Sequence, residues 1–126
     1  MEREGYGGYR DLKVFKLAYQ LALEIHEATK SFPKDEKYVL VDQIRRSSRS
    51  IAANIAEAWK KRRYEKAFVS KLIECSGEAG ETEVWLDFSK DFGYIKGEQY
   101  QYFQSKYEEV SRMLSGMIHK SEKFSQ

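Results

Sequence analysis

Residues 43–66 read QIRRSSRSIAANIAEAWKKRRYEK, and the apolar residues of this stretch recur at steps of three and four. Such steps place side chains on one face of an α-helix, whereas strict alternation would indicate a strand. The stripe extends upstream of the quoted stretch and consists of Leu40, Ile44, Ile51, Ile55 and Ala58. We predict a long amphipathic helix that buries this stripe against the rest of the chain.

Three other segments carry apolar residues at the same spacing. We expect the first to begin behind an Asp11 cap and to end before Pro33, which suits the first turn of the next helix. We expect the third helix to run from Glu65 to Asp91 and the fourth to start near Gly97. The stripes of these helices are Val14, Ala18, Leu21, Ile25, Ala28 and Phe32; Phe68, Leu72, Cys75, Ala79, Thr82 and Leu86; and Tyr100, Phe103, Tyr107, Val110, Leu114, Met117, Ser121 and Phe124.

Four amphipathic helices with short connections predict an all-α protein, namely an antiparallel up-down four-helix bundle. One proline and eight glycines among 126 residues favour long helices over a turn-rich β fold. We assign residues 9–126 to the bundle domain. Residues 1–8 contain three glycines and lack periodicity, so we expect a flexible N-terminal tail.

The third helix carries a second set of apolar and small residues. At about 100° per residue, we expect this set to form an arc beside the first stripe. Two glycines inside a helix cost about 1 kcal/mol each relative to alanine, and close approach by another backbone would offset that cost. We interpret the arc as an oligomer interface; the alternative is that the third helix is simply the most buried of the four. The residues are Val69, Ile73, Gly77, Gly80, Val84 and Phe88.

Positive charge is concentrated in residues 43–66, which hold eight Lys or Arg against two Glu, although the whole chain holds 22 basic and 20 acidic side chains. On the second helix the basic residues fall on the side away from Ile44 and Ile51, with three alanines between them. Phosphate backbones favour such a surface through counterion release. The predicted nucleic-acid-binding residues are Arg45, Arg46, Arg49, Lys60, Lys61, Arg62 and Arg63.

Two other interpretations of this charge remain open. Residues 74–91 hold six carboxylates and one lysine, so a basic second helix can instead dock against the acidic third helix of a neighbouring subunit. The charges can also form a plain solvated face. Within the acidic segment, Glu83 falls in the first apolar stripe of the third helix, between Ala79 and Leu86, and we expect it to be buried against Arg45, Arg46 or Asn54 of the second helix.

The sequence offers little support for an enzyme. Di-iron bundles need Glu three residues before His on two helices, whereas Leu23 and Gly116 stand three residues before His26 and His119. Two histidines and Cys75 on three helices are a weak basis for zinc, and no oxyanion-hole, phosphate-loop or dinucleotide motif accompanies them. We predict a non-enzymatic protein with no cofactor and no metal site.

The chain starts with charged residues, and no apolar h-region follows them. No apolar run approaches the roughly 18 residues that a membrane span requires. We therefore expect a cytoplasmic protein without a membrane partner.

Five short motifs are distributed along the chain: Tyr9-Arg10-Asp11-Leu12, Phe32-Pro33-Lys34, Gln43-Ile44-Arg45-Arg46, Ser50-Ile51-Ala52-Ala53-Asn54-Ile55-Ala56-Glu57 and Glu109-Val110-Ser111-Arg112-Met113-Leu114. They resemble the four helix bundle proteins encoded by 23S rRNA intervening sequences, over about Tyr9 to Lys120. The resemblance implies a closed bundle that assembles as a homopentamer. It also implies kinship in fold with the accessory protein of diversity-generating retroelements, a basic pentamer that binds nucleic acid and a reverse transcriptase.

The resemblance carries over no catalytic residues. The family usually has glycine where this chain has Ala58, so we expect the second helix to run further, through Trp59 to Lys61. We predict an oligomeric, non-enzymatic bundle that binds the backbone of RNA or DNA. The alternative is a scaffold or adaptor whose basic and acidic faces serve homo-oligomerisation and a protein partner.

Overall fold

The computed structural model describes residues 7–125, and every regular element in that range is helical. The elements are α1 (Lys13–Ala28), α2 (Leu40–Lys60), α3 (Glu65–Asp91), α4 (Gly97–His119) and the short α5 (Ser121–Ser125). Helix α1 packs against α2 and α4, and α3 packs against the same two helices, so the four long helices enclose one core. The predicted all-α bundle is confirmed.

The predicted apolar stripes point into this core. All five stripe residues of α2 and all six of α3 are buried, and so are four residues each from α1 and α4. Each fully buried large apolar side chain contributes about 1.5–3 kcal/mol. Two buried hydroxyl groups also lie in the core, where Ser47 of α2 and Thr82 of α3 form a hydrogen bond of 2.7 Å.

The start of α1 differs from the sequence prediction. Leu12 is the N-cap residue, with no side-chain hydrogen bond to the helix, and Asp11 lies in a preceding 3₁₀ turn over Tyr9–Asp11. The prediction of an Asp11 cap is therefore wrong. This turn packs against α2, so the chain enters the bundle along α2 before α1 begins.

The connection between α1 and α2 is longer than predicted. The hydroxyl of Thr29 donates to the carbonyl of Ile25 at 2.8 Å, and α1 ends there in a 3₁₀ turn. Pro33 is extended and precedes a second 3₁₀ turn over Lys34–Glu36, so it does not begin α2. Helix α2 begins only at Leu40 and ends at Lys60, with Lys61 as its C-cap, which agrees with the predicted extension past Trp59.

Residues 1–6 of the predicted N-terminal tail lie outside the described range. Of the remaining two tail residues, Gly7 contacts the bundle, because its carbonyl accepts a hydrogen bond from the indole Nε1 of Trp59 at 3.1 Å. Trp59 also packs edge-on against Phe68 and Phe124, which brings α5 to the junction of α2 and α3.

Helix α3 ends in a turn that requires a glycine. Gly93 has φ +81°, in the left-handed region, and its amide donates to the carbonyl of Lys90 at 2.9 Å. A Cβ at this position would meet no atom within 4 Å, so conformation alone requires glycine here.

Replacing Gly93 by alanine is expected to lower the free energy of unfolding by about 1–2 kcal/mol, because an L-residue is strained in this conformation. Gly97→Ala is the matched control: it lies in the first turn of α4 without a positive φ, and its Cβ also meets open space. Urea denaturation of the two variants measures the difference. Equal stability would show that the turn relaxes without cost.

The second arc of α3 lies at the surface. Ile73 is 57% exposed and Phe88 is 45% exposed, while Gly77 and Gly80 face open space. The arc therefore does not flank the core stripe as predicted, since at about 100° per residue the centres of the two sets are roughly 150° apart. The alternative that α3 is the most buried helix is also wrong, because seven of its 27 residues are buried against ten of 21 in α2. The apolar arc of α3 is left exposed by the rest of the described chain.

Candidate nucleic-acid interface

The exposed side of α2 carries the predicted basic residues, but they differ in how they are held. Arg45 is half-buried at the end of α1: its Nε donates to the Thr29 hydroxyl at 2.8 Å and its Nη2 donates to the carbonyl of His26 at 3.2 Å. These bonds satisfy backbone and hydroxyl oxygens that the end of α1 leaves open. Arg45 thus anchors α2 to α1 while its charge stays at the surface.

Arg46 and Arg49 lie on the more exposed side of α2. The guanidinium of Arg49 donates from Nη2 to Nδ1 of His26 at 3.0 Å, and Nη2 of Arg46 donates to Gln43 at 3.2 Å. Neither arginine forms an ion pair within residues 7–125. Both charges remain available to an anion from solution.

These arginines line a cavity of about 560 Å³ at the start of α2. Its charged lining consists of four cations against one carboxylate, namely Lys37, Arg45, Arg46, Arg49 and Asp42. Cations crowded at one surface attract polyanions, and their mutual repulsion is relieved when an anion binds. We name these four cations the arginine cluster.

A second set of cations lies at the other end of α2. Lys60 and Arg63 are exposed and form no ion pair in the described part of the chain. Lys61 pairs with Glu57 at 2.9 Å, and the guanidinium of Arg62 lies 4.2 Å from the ring centre of Trp59. Lys60 and Arg63 are therefore the members of this set most open to a new anionic partner.

The two basic sets are aligned along α2. Lys60 follows Arg49 by eleven positions, which corresponds to about 16 Å along the axis and three turns of helix. Both residues consequently lie on nearly the same side. At the ~3.4 Å rise of one B-form strand, this separation spans about five nucleotides.

Sequence reasoning missed Lys37 and Tyr38, which line the same cavity as the arginines. Both lie in the connection between α1 and α2, where a helical wheel assigns no direction to a side chain. The Lys37 ammonium lies 5.2 Å from the ring centre of Tyr38. The one indication in the sequence was that Lys37 stands about one helical turn before the start of α2, close enough to reach the first arginines of that helix.

The arginine cluster also acts on His26. The positive charge of Arg45, with burial and Arg49 as smaller causes, holds the pKa of His26 below its ordinary value of 6.5. Because Arg49 can only donate, Nδ1 accepts and the neutral ring carries its proton on Nε2. The folded chain therefore takes up a second proton on His26 less readily than the unfolded chain does. The contribution of His26 to the free energy of unfolding is complete above pH 6.5 and is lost as the pH is lowered below that value.

In an NMR titration, His26 is expected to titrate below 6.5, and Arg49→Gln is expected to raise its pKa because one of the repelling charges is gone. Glutamine can still donate to Nδ1, so the variant tests charge rather than hydrogen bonding. Arg112→Gln on α4 serves as the control and should leave His26 unchanged. A His26 pKa that does not respond to Arg49→Gln would show that the two side chains are apart in solution.

The acidic surface of the chain lies on the opposite pair of helices. A cavity between α3 and α4 is lined by Glu83, Asp87 and Glu108, together with Gly80 and Val84 of the exposed arc. Burial raises the pKa of Glu83, and the nearby charges of Glu108 and Asp87 raise it further. These carboxylates repel one another, so a cation from outside the chain would stabilise them.

Glu83 does not pair with α2, so the predicted contact with Arg45, Arg46 or Asn54 is wrong. Thr82 already faces Ser47 of α2, and the next residue lies about 100° further round the helix, towards α4. There the side-chain amide of Gln104 donates to the carbonyl of Glu83 at 3.2 Å.

The described residues offer neither a reactive thiol nor a cluster of metal ligands. Burial raises the pKa of the Cys75 thiol to about 12, so the thiol is protonated at neutral pH and is a poor nucleophile. Residues 7–125 contain no group of three or more His, Cys, Asp or Glu side chains arranged to hold a metal ion. None of the helices in this range is both long and apolar enough to cross a membrane.

Comparison with known proteins identifies a family and similar solved structures. The sequence profile of a family described as 23S rRNA-intervening sequence protein matches residues 10–116, which include α1 to α3 and most of α4. A search of curated proteins finds no match. A similar solved structure is the crystal structure of a protein with unknown function from the S23 ribosomal protein family of Bacteroides thetaiotaomicron VPI-5482.

The two chains share 33% sequence identity and superpose with a TM-score of 0.76, over 84% of this chain and 95% of that one. The shared part therefore amounts to most of this chain, and the range matched by the family profile includes α2. With a family profile that matches most of the sequence and a neighbour of the same fold, the chain belongs to the family of 23S rRNA-intervening sequence proteins.

Proposed function

We propose that the protein is a non-enzymatic, oligomeric bundle that binds the phosphate backbone of RNA or DNA through the exposed side of α2. One observation carries the proposal: four cations surround a single cavity of about 560 Å³ that contains one carboxylate. The family description names an rRNA intervening sequence and no biochemical role, so the proposal rests on this geometry.

The charge pattern favours a polyanion over a small anion. Lys60 and Arg63 add positive charge about 16 Å or more from Arg49 along the same helix, which a single phosphate cannot bridge. A nucleic-acid strand can contact both sets, releasing one counterion for each phosphate that is neutralised. Contacts of this kind fix position on the strand and carry no sequence information.

Assembly is the second part of the proposal. The exposed arc of α3 contains two glycines, and no atom of the described chain lies within 4 Å of where their Cβ atoms would stand. Apolar side chains that are 45–57% exposed flank these glycines. Small residues allow a second helix to approach closely, and the apolar side chains gain by being covered. We propose that a second copy covers this arc, in the homopentamer that the family resemblance implies.

The scaffold function is the second candidate, and the acidic cavity between α3 and α4 favours it. Glu83 and its neighbours lie beside the exposed arc, so a cation of the adjoining subunit would relieve their repulsion. In that arrangement the arginine cluster serves assembly, and a protein partner takes the place of nucleic acid.

The test is fluorescence anisotropy with two labelled RNA strands of about 20 nucleotides and unrelated sequence, at about 50 mM salt. Both strands are expected to bind with similar affinity, and the bound strand is expected to raise the pKa of His26 in NMR spectra because phosphates neutralise Arg45 and Arg49. Failure of both strands to bind would contradict nucleic-acid binding and leave the scaffold function.

A further inference from the structure

A second cavity adjoins the arginine cluster and differs from it in character. This groove runs between α1 and α2, has a volume of about 590 Å³, and is lined mainly by aromatic and aliphatic side chains. It shares Arg49 and Ala53 with the arginine cluster's cavity. The three alanines of α2, Ala52, Ala53 and Ala56, form its floor, and their small size leaves the groove open.

The α1 side of the groove is a row of aromatic rings. Tyr9 meets Phe15 edge-on at 4.9 Å between ring centres, and Phe15 stacks on Tyr19 at 5.7 Å with planes 30° apart. Tyr19 ends the row and is 53% exposed, so much of its ring surface is open to solvent. Leu23 continues the same wall towards His26.

Cations stand at both ends of this row. Arg10 places its guanidinium 4.7 Å from the ring centre of Tyr9, and Arg49 with His26 lines the opposite end. Arg49 lines the groove itself, whereas Arg10 lies outside the lining and against Tyr9, so the aromatic surface has one cation at each end. Proteins that bind single strands combine these two elements, because phosphates contact cations while bases stack on aromatic rings.

We propose that this groove binds the bases of a single-stranded nucleic acid, with at least one base stacked on Tyr19, while Arg49 and Arg10 contact the flanking phosphates. The inference rests on the proposed function and specifies its substrate as a single strand. In a duplex the base faces are already stacked on their neighbours, so the aromatic row would gain nothing from duplex DNA. The charge at both ends of the groove favours a polyanion over a purely apolar partner such as the uncovered arc of a second copy.

The experiment compares three labelled probes of about 12 nucleotides: a thymidine strand, an abasic strand with the same phosphates, and a duplex. The thymidine strand is expected to bind about five- to 150-fold more tightly than the abasic strand, which is the gain that one base–aromatic stack provides. Tyr19→Ala is expected to reduce thymidine binding to the abasic level and to leave duplex binding unchanged. Tyr19→Phe, which keeps the ring, is expected to retain tight binding.

Tyr102→Ala is the matched control, since this tyrosine is 43% exposed on α4 and does not line the groove. Equal binding of thymidine and abasic strands, or full binding by Tyr19→Ala, would overturn the base site while leaving the phosphate contacts intact. A change in oligomer mass with Tyr19→Ala would assign the groove to a subunit contact and would also overturn the inference. Failure of all three probes to bind would contradict the proposed function itself.

Discussion

Replacing Arg49 and Lys60 together by glutamate is expected to abolish measurable nucleic-acid binding while helicity and oligomer mass stay unchanged. The two residues represent the two basic sets of α2, and each reversal removes a phosphate contact and adds a repulsive charge. Both side chains are exposed, so the substitutions remove no core contact. In the proposed ring the copies would share one strand, so a loss in each subunit would multiply across the assembly.

The control for this variant is Arg112→Glu with Lys120→Glu, which makes the same change in net charge at exposed positions near the end of α4. It is expected to bind RNA nearly as well as the unchanged protein, apart from a general long-range effect of charge. Anisotropy measures binding, and light scattering measures mass. A loss of oligomer mass in the Arg49 and Lys60 variant would show that the basic face is a subunit contact, in favour of the scaffold function.

Replacing Gly80 by leucine is expected to change two properties in opposite directions. The subunit contact should weaken by about 1–3 kcal/mol for each interface, because the new side chain occupies the space that a second helix needs. The separated bundle should become more stable, by up to about 1 kcal/mol, because leucine favours a helix more than glycine does. A Cβ at this position meets nothing within the chain, so the fold itself offers no resistance.

Gly116→Leu on α4 is the matched control, since a Cβ there also meets open space but lies away from the exposed arc. Light scattering over a dilution series measures the assembly, and thermal unfolding measures the bundle. If Gly80→Leu and Gly116→Leu give the same mass as the unchanged protein at every concentration, the arc of α3 is not the interface.

The fold was predictable because apolar spacing records which side of each helix is buried. The α3 bounds, from Glu65 to Asp91, followed from the end of apolar spacing before Gly93, whose positive φ closes the turn. The bounds of α1 and the start of α2 were harder to predict from the sequence. They depend on local bonds such as that of Thr29 to Ile25, which sequence spacing does not express.

The candidate site was predictable in direction and not in detail. Helical geometry placed Arg49 and Lys60 on one side of α2, but Arg45 is held by oxygens of α1 that only the assembled bundle brings near. The contribution of Lys37 arises in an irregular connection, for which no periodic rule exists. The predicted contact of Glu83 with α2 was wrong because spacing alone does not tell which helix packs on each side of α3, and Glu83 faces α4.

The dependence of affinity on salt tests the central claim most directly, because only phosphate neutralisation produces it in a defined amount. For a single-stranded RNA, log affinity is expected to fall linearly with log salt, at about −0.7 for each phosphate neutralised. Lys60→Gln is expected to make this slope shallower by about 0.7 for each Lys60 that contacts the strand, whereas Lys120→Gln leaves it unchanged. An affinity that is insensitive to salt, or a slope that Lys60→Gln does not alter, would contradict binding of the nucleic-acid backbone by α2.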